Sequence, residues 1–298
     1  MNDRSMSNKS VIVCYGEILW DMLPKGLFLG GAPLNVACHF ASWGNVALMY
    51  SAVGKDVLGL EALNRIKRRG VSSRYILVNN HLKTGMVHVD IGDSEEPTYV
   101  FDSPMAYDSI RVNRDMLETS SVADAFVYGT LAQRETMNRK GLKRLLKKTR
   151  GLKFYDVNLR PPCMNRSLVL ELASYADFLK LNLQELAWIL DTNLELISLG
   201  AAVKAISELT ETKRVCVTLG SEGVYYLDGD KTFEVSAPKI DVKNAVGAGD
   251  AFLARFIQGV LKKEDTLFQL QASCEYGSHV ASIEGALPEL CELGILEG

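Results

Sequence analysis

Residues 244–253 read NAVGAGDAFL, a glycine-rich turn that delivers an acid, Asp250, to the mouth of an apolar run reaching about Leu261. Amide N–H groups freed by Gly247, Ala248 and Gly249 at a helix N-terminus attract developing negative charge, and Asp250 beside them can take a proton. That pairing suits phosphoryl transfer. The same residues also make an ordinary glycine turn with an acidic first-turn residue, which stabilises any helix by ~0.3–1 kcal/mol.

Other segments could complete such a site. In LGGAPLNVACHFASWG, Gly30 and Gly31 precede a helix with Pro33 in its first turn, an apolar face of Val36, Ala37, Phe40 and Ala41, and Gly44 as a stop. Asn35 offers an amide that donates and accepts, as a polyhydroxylated ligand requires, and Asp21 upstream could accept from two hydroxyls. A plain turn and a surface acid would look the same. In DVNLRPP, Arg160 follows a strand pattern and carries a planar fork for a phosphate or a substrate oxygen, or else a surface ion pair. In KLNLQELAWIL, Asn182 and Glu185 are spaced to face hydrated Mg²⁺ on nucleotide phosphates, or to form an N-cap with its capping glutamate. In VTLGSEGVYYL, Gly220 and Gly223 suit close backbone approach by a nucleotide, and equally a hairpin loop. No G-x-x-x-x-G-K-[ST] occurs, and Phe252 stands where a dinucleotide motif wants its third glycine, so a P-loop ATPase and a Rossmann dehydrogenase are disfavoured.

These residues need elements to hold them. The β-rich runs VIVCYG, VALMYSAVG, DAFVYG, LKFYDVN, DFLKLN and RVCVTLG alternate with helical patterns at about 55–70, 135–150, 183–191 and 198–211. Alternation of this kind predicts an α/β fold with a mostly parallel sheet covered on both faces. Ligands then belong at the carboxyl ends of the strands, where Gly16-Glu17, Gly129-Thr130, Asn158 to Arg160, Asn182 and Gly220-Ser221 stand. About 17–32 and 84–104 read instead as extended pieces, a small antiparallel sheet able to cover the site.

With 298 residues, 47% hydrophobic and 23% charged, the chain can bury a large core. A net charge of −3 makes no electrostatic case for nucleic acid, so a small-molecule partner is expected. The basic runs Lys67 to Arg69, Lys143-Arg144 and Lys147-Lys148 read as solvated helix faces. The six cysteines show no C-x-x-C pair and read as reduced core residues. The four histidines lack metal-ligand spacing. The short apolar run after a polar start suits neither a signal peptide nor a membrane span, so a cytoplasmic protein with no membrane partner is expected.

Taken in order, GEILWD, GGAPLNVACHFASWG, YGTLAQR, DVNLRPP, KLNLQEL, VTLGSEG and GAGDAF resemble the ribokinase or PfkB family of carbohydrate kinases, in its fructokinase-like branch, over about Val11 to Pro288. The resemblance implies one ribokinase-like domain over 11–290, with a three-layer α/β core and a small β lid. It also implies ATP with Mg²⁺ and phosphoryl transfer to a sugar hydroxyl, fructose O6 above others. Asp250 would be the general base, with Gly247, Ala248 and Gly249 as the anion hole. Asp21, Gly30, Gly31 and Asn35 would bind the sugar, and Arg160 would lie between sugar and γ-phosphate. Asn182 and Glu185 would organise Mg²⁺, through water for Glu185, and the phosphate end of ATP. Thr218, Gly220 and Gly223 would lie near the nucleotide. Tyr107, before Asp108 in FDSPMAYD, would cover the substrate from the lid.

One segment departs from the pattern. Where the family has D-T-x-G-A-G-D, this chain has Asn244 and Ala245, which weakens the expectation of a supporting K⁺ site. The readings left open are a kinase for another sugar, a sugar acid or a nucleoside, and a sugar-binding relative impaired around 244–246. An exposed lid sheet could also pair two copies into a homodimer.

Overall fold

The computed structural model of the protein describes residues 9–23, 26–90, 98–161 and 163–283. Residues 91–97 of the extended piece 84–104, the expected domain end at 290 and Cys291 lie outside them. In chain order the elements are β1 (Val11–Tyr15), β2 (Leu19–Leu23), β3 (Gly26–Gly30), α1 (Ala32–Ser42), β4 (Val46–Gly54), α2 (Val57–Arg68), β5 (Ile76–Asn79), β6 (Gly85–Asp90) and β7 (Thr98–Phe101). There follow α3 (Arg114–Ser120), β8 (Ala125–Gly129), α4 (Thr136–Lys148), β9 (Leu152–Asp156), α5 (Arg166–Ala173), β10 (Phe178–Asn182), α6 (Leu183–Leu190) and α7 (Leu199–Thr210). The chain closes with β11 (Arg214–Thr218), β12 (Val224–Asp228), β13 (Lys231–Val235), α8 (Ala248–Lys262) and α9 (Thr266–Ala281).

The main sheet has nine strands in the order β13-β12-β11-β10-β9-β8-β1-β4-β5. Pairing is parallel from β5 through to β11, while β12 and β13 return antiparallel at one edge. β1 shows why the run VIVCY is apolar throughout: successive side chains point to opposite faces, and both faces are covered. Ile12 and Cys14 join a core with Leu34 and Phe40 of α1, Ile66 of α2, Phe252 and Phe256 of α8 and Leu270 of α9. Val13 and Tyr15 join the opposite core with Met116 of α3, Leu142 and Leu145 of α4, Leu172 of α5, Leu186 of α6 and Val203 of α7. Three layers result, helix on sheet on helix.

The two extended pieces form a second sheet of four strands, in the order β3-β2-β6-β7. β2 pairs antiparallel with β3 and parallel with β6, and β6 pairs antiparallel with β7. The segment FDSPMAYD is only partly in this sheet. β7 ends at Phe101, and Tyr107 sits beyond it on a 3₁₀ turn, 1% exposed and packed with Leu19, Val87, Leu131 and Cys163. The apolar ring is drawn into the junction between sheet and core, so Tyr107 is not a lid residue. A β-carbon on Gly85 would come within 2.6 Å of its ring, which fixes that close approach.

Candidate active site

The turn before α8 closes on itself. Asn244 Oδ1 accepts the Val246 N–H at 3.0 Å, and the Ala281 carbonyl at the end of α9 accepts the Lys243 and Asn244 N–H groups at 2.9 and 3.1 Å. Gly247 takes φ 84°, a left-handed conformation that suits glycine, and no side chain caps the helix that follows. The Ala248 amide donates to the Ala245 carbonyl at 3.3 Å. Among the described residues the Gly247, Gly249 and Asp250 amides find no hydrogen-bond partner. Two of the expected trio are therefore free, and Asp250 stands in for Ala248, whose amide closes the turn. They present an anion cradle with the helix dipole behind it.

β9, β10 and α1 converge on that cradle. Asn35, 4% exposed, donates from Nδ2 to Asp250 Oδ2 at 2.7 Å. Lys180 of β10 lies on the other side, where a β-carbon on Gly249 would approach its Nζ to 3.3 Å. Its ammonium donates to both oxygens of Asp156 at the end of β9, at 3.0 and 3.2 Å. Asp250 is partly buried, and its carboxyl is pushed up to about 6. Loss of solvent is the main cause and Asp156 adds to it, while Asn35, Lys180 and Arg160 oppose. Burial alone would lower Lys180, but Asp156, Glu185 and Asp250 outweigh it and raise it.

Arg160 leaves β9 just after Asn158, whose φ of 39° puts a non-glycine residue in the left-handed region. The Arg160 guanidinium is exposed and makes one bond, Nη1 to the Leu159 carbonyl at 3.1 Å. Its charge pulls down the proton affinities of Glu17, Asp21 and Asp250 together. Asp21 is raised to about 6 by burial in spite of that. Gly30 lies against it: a β-carbon there would meet Asp21 Oδ2 at 2.6 Å. Asp21, Gly30, Gly31, Asn35, Arg160 and the α8 turn thus form one cluster.

Asn182 and Glu185 are committed to the structure of α6. Glu185 Oε1 accepts the Leu159 N–H and Oε2 the Asn182 N–H, both at 2.8 Å, while Asn182 Oδ1 accepts the Glu185 N–H at 2.8 Å. This is a complete capping box on α6. Burial and Asp156 raise the Glu185 carboxyl. With both oxygens so engaged, the residue is better suited to a water of a hydrated Mg²⁺ than to the ion itself. Among the described residues no group of three His, Cys, Asp or Glu is placed to hold a metal ion. In the turn at 243–247, Asn244 Oδ1 is engaged by the Val246 N–H, and the neighbouring Ala281 carbonyl of α9 accepts two protein N–H groups. Thr218 Oγ1 lies 3.5 Å from the Leu181 carbonyl, and Gly220 faces open space. Gly223 serves the hairpin: at φ 119°, a β-carbon there would meet the Val235 carbonyl at 2.0 Å.

Sequence reasoning assigned no role to Glu17, Asp156 or Lys180. A lysine inside the apolar strand FLKLN was the available signal, since a charge there is buried only when paired. Glu17 is 3% exposed and raised to about 7, by burial first and by Asp250, against the Glu17 and Ala32 amides and Arg160. His39, by contrast, packs against Tyr276 with Nδ1 2.9 Å from its hydroxyl, and the five described cysteines are buried and unpaired.

A mostly parallel α/β sheet, an uncapped helix N-terminus carrying an acid, and a lid of four strands define a small-molecule phosphotransferase. The chain belongs to the pfkB family of carbohydrate kinases, whose pattern matches residues 26–285. It is similar to fructokinase-2 of Zea mays, 27% identical over 312 residues that cover 94% of this chain and 91% of the relative. Among solved structures it resembles a fructokinase with bound ATP from Xylella fastidiosa, with TM-score 0.82 and 22% identity, covering 95% of this chain and 97% of that one. It also resembles 2-dehydro-3-deoxygluconokinase from Thermotoga maritima, with TM-score 0.79 and 19% identity, covering 94% and 95%. None of the described helices is long and apolar enough to cross a membrane.

Proposed function

We propose that the protein is an ATP-dependent sugar kinase that transfers the γ-phosphoryl of ATP to fructose, at O6. The observation that carries this reading is the bond from Asn35 to Asp250 at the uncapped end of α8, which sets a proton acceptor beside an anion cradle. Asp250 takes the proton of the attacking hydroxyl. The oxygen then attacks the phosphorus in line, and the bond to the ADP oxygen breaks. Amides of the α8 turn, with Lys180 and Arg160 near them, receive the charge that develops on the transferring group. Mg²⁺, held through water by Glu185 beside Asn182, would neutralise phosphate charge. Asp21, Asn35 and the Gly30-Gly31 turn orient the sugar, while Thr218 and the Gly220 turn border the nucleotide.

The choice of fructose is supported by the relative from maize, and the similarity to a deoxygluconokinase fold makes sugar acids the comparison to run. One domain over 11–290 belongs to this proposal. So does a homodimer through the lid, whose Met22, Leu27 and Phe28 are 41%, 40% and 38% exposed. ADP release with ATP and Mg²⁺ tests the function: turnover highest with fructose is expected, and turnover confined to a sugar acid or a nucleoside would overturn the substrate.

A further inference from the structure

α1 begins without a cap of its own. Its N-cap residue is Gly31, at φ 118°, and no side chain of that residue accepts from the first turn. Glu17, which follows β1, lies against that end. The Ala32 and Glu17 N–H groups are near enough to its carboxylate to hold its proton affinity down. Gly31 permits the approach: a β-carbon there would meet the Glu17 carbonyl at 2.4 Å and the Glu17 Cγ at 3.5 Å.

These amides explain part of the carboxylate and leave the rest unexplained. Glu17 Oε2 is buried and has no hydrogen-bond partner. Asn35 Oδ1, one turn into the same helix, is in the same condition, since the other end of its amide is spent on Asp250. A buried acceptor left unmatched costs about 1–3 kcal/mol, so two of them at one site call for a ligand. Asn35 Oδ1 is an acceptor, and Glu17 Oε2 accepts when its carboxyl is ionised; with Asp21 and Asp250 nearby they call for donors. Hydroxyl groups of a polyol meet that need; a phosphate or carboxylate does not.

We infer that Glu17 is a positioning and specificity residue: its carboxylate ties α1 to β1 so that Asn35 stays bonded to Asp250, and its free oxygen receives a hydroxyl of the acceptor. This rests on the sugar-kinase reading of the same site, and it names a contact that reading does not. The arrangement divides the pocket into an acceptor-lined end for hydroxyls, at Glu17, Asp21 and Asn35, and a donor-lined end for phosphate at the α8 turn.

The test compares wild type with Glu17→Gln, which keeps the shape and one oxygen for the Ala32 N–H, and with Glu17→Ala. The sugar is the best acceptor from the turnover panel, together with its monodeoxy analogues. In wild type, one deoxy position raises KM about tenfold, the factor carried by ~1.4 kcal/mol. Glu17→Gln raises KM for the parent sugar to a similar degree, leaves KM for ATP unchanged, and no longer discriminates at that position. A merely structural Glu17 predicts that every deoxy position is discriminated as in wild type, and that result overturns the inference. If Glu17→Gln does not fold, Glu17→Asp, which retains the charge but retracts the oxygen, must lose discrimination at the same position. No turnover by wild type with any sugar defeats the kinase reading itself and the inference with it; normal wild-type turnover with an unaltered Glu17→Gln defeats the inference alone.

Discussion

Replacing Asp250 with asparagine separates the chemistry of the residue from its packing. The new side-chain oxygen can still accept from Asn35 Nδ2, now 2.7 Å away, so the link between α1 and α8 survives. The negative charge does not. Burial and Asp156 push the Asp250 carboxyl from the ordinary aspartate value up to about 6. Each tenfold in proton affinity is worth ~1.4 kcal/mol, so the ionised group costs the folded state up to about 3 kcal/mol at neutral pH. Solvent at this partly exposed site screens some of that, which leaves a stabilisation of roughly 1–2 kcal/mol for the asparagine variant. Removing a positioned base lowers turnover by ~10²–10⁴. Urea unfolding at pH 7.5 and ADP release on the same preparations give both numbers. A variant that is more stable and nearly inactive, with sugar binding retained, is the expected outcome. Turnover within tenfold of wild type refutes the assignment of the base, and a variant less stable than wild type refutes the account of its charge.

The same raised carboxyls set a pH dependence. Asp250 must be ionised to accept a proton, so turnover falls as pH drops through about 6, and a profile flat down to pH 5 would contradict it. Stability runs the other way. Glu17, Asp21 and Asp250 all bind protons more tightly folded than unfolded, so the ligand-free protein loses stability as pH rises through 6–7, which urea midpoints on either side of that window measure. Exchanging K⁺ for Na⁺ or tetramethylammonium should change turnover by less than about twofold, well under the worth of one hydrogen bond, because Asn244 and Ala245 supply neither the acid nor the hydroxyl of the family pattern and Asn244 Oδ1 accepts the Val246 N–H; strong activation by K⁺ alone would show that the turn holds the ion through its carbonyls. Lys180→Met strands Asp156 beside Glu185 in the interior and should cost about 3–5 kcal/mol in denaturant unfolding. Adding Asp156→Asn to it should recover most of the loss, and failure to recover would mean that the pair is not the source.

Much of the core was legible because each strand is a compact apolar run and each helix an amphipathic one. The four helical patterns at 55–70, 135–150, 183–191 and 198–211 are α2, α4, α6 and α7 to within two residues at either end. Asp250 was legible as an acid directly after a glycine turn, and Asn35 as an amide one turn into the helix that follows Gly30-Gly31, while Asp21 stood out only through the resemblance. Asn182 with Glu185 shows the limit, since the spacing that could serve a hydrated ion is also a capping box, and the structure uses it as one. Lys180 and Asp156 meet only through the pairing of β9 with β10, which residue spacing within one strand does not reveal. Tyr107 was placed in the lid by the resemblance of FDSPMAYD to a family segment, whereas the sheet stops at Phe101 and the ring turns inward. Glu17 stood at a strand end, but nothing in its neighbours shows that Gly31 would lean α1 onto it.

The central claim, phosphoryl transfer from ATP to a sugar hydroxyl by Asp250 at the end of α8, is tested most directly by ADP release from the purified protein. The acceptors should be fructose, other hexoses and pentoses, a keto-deoxy sugar acid and a nucleoside, with the Asp250→Asn variant alongside. Fructose-dependent turnover that disappears in the variant is predicted. ADP release that is independent of any acceptor, or equal in the two proteins, would contradict it.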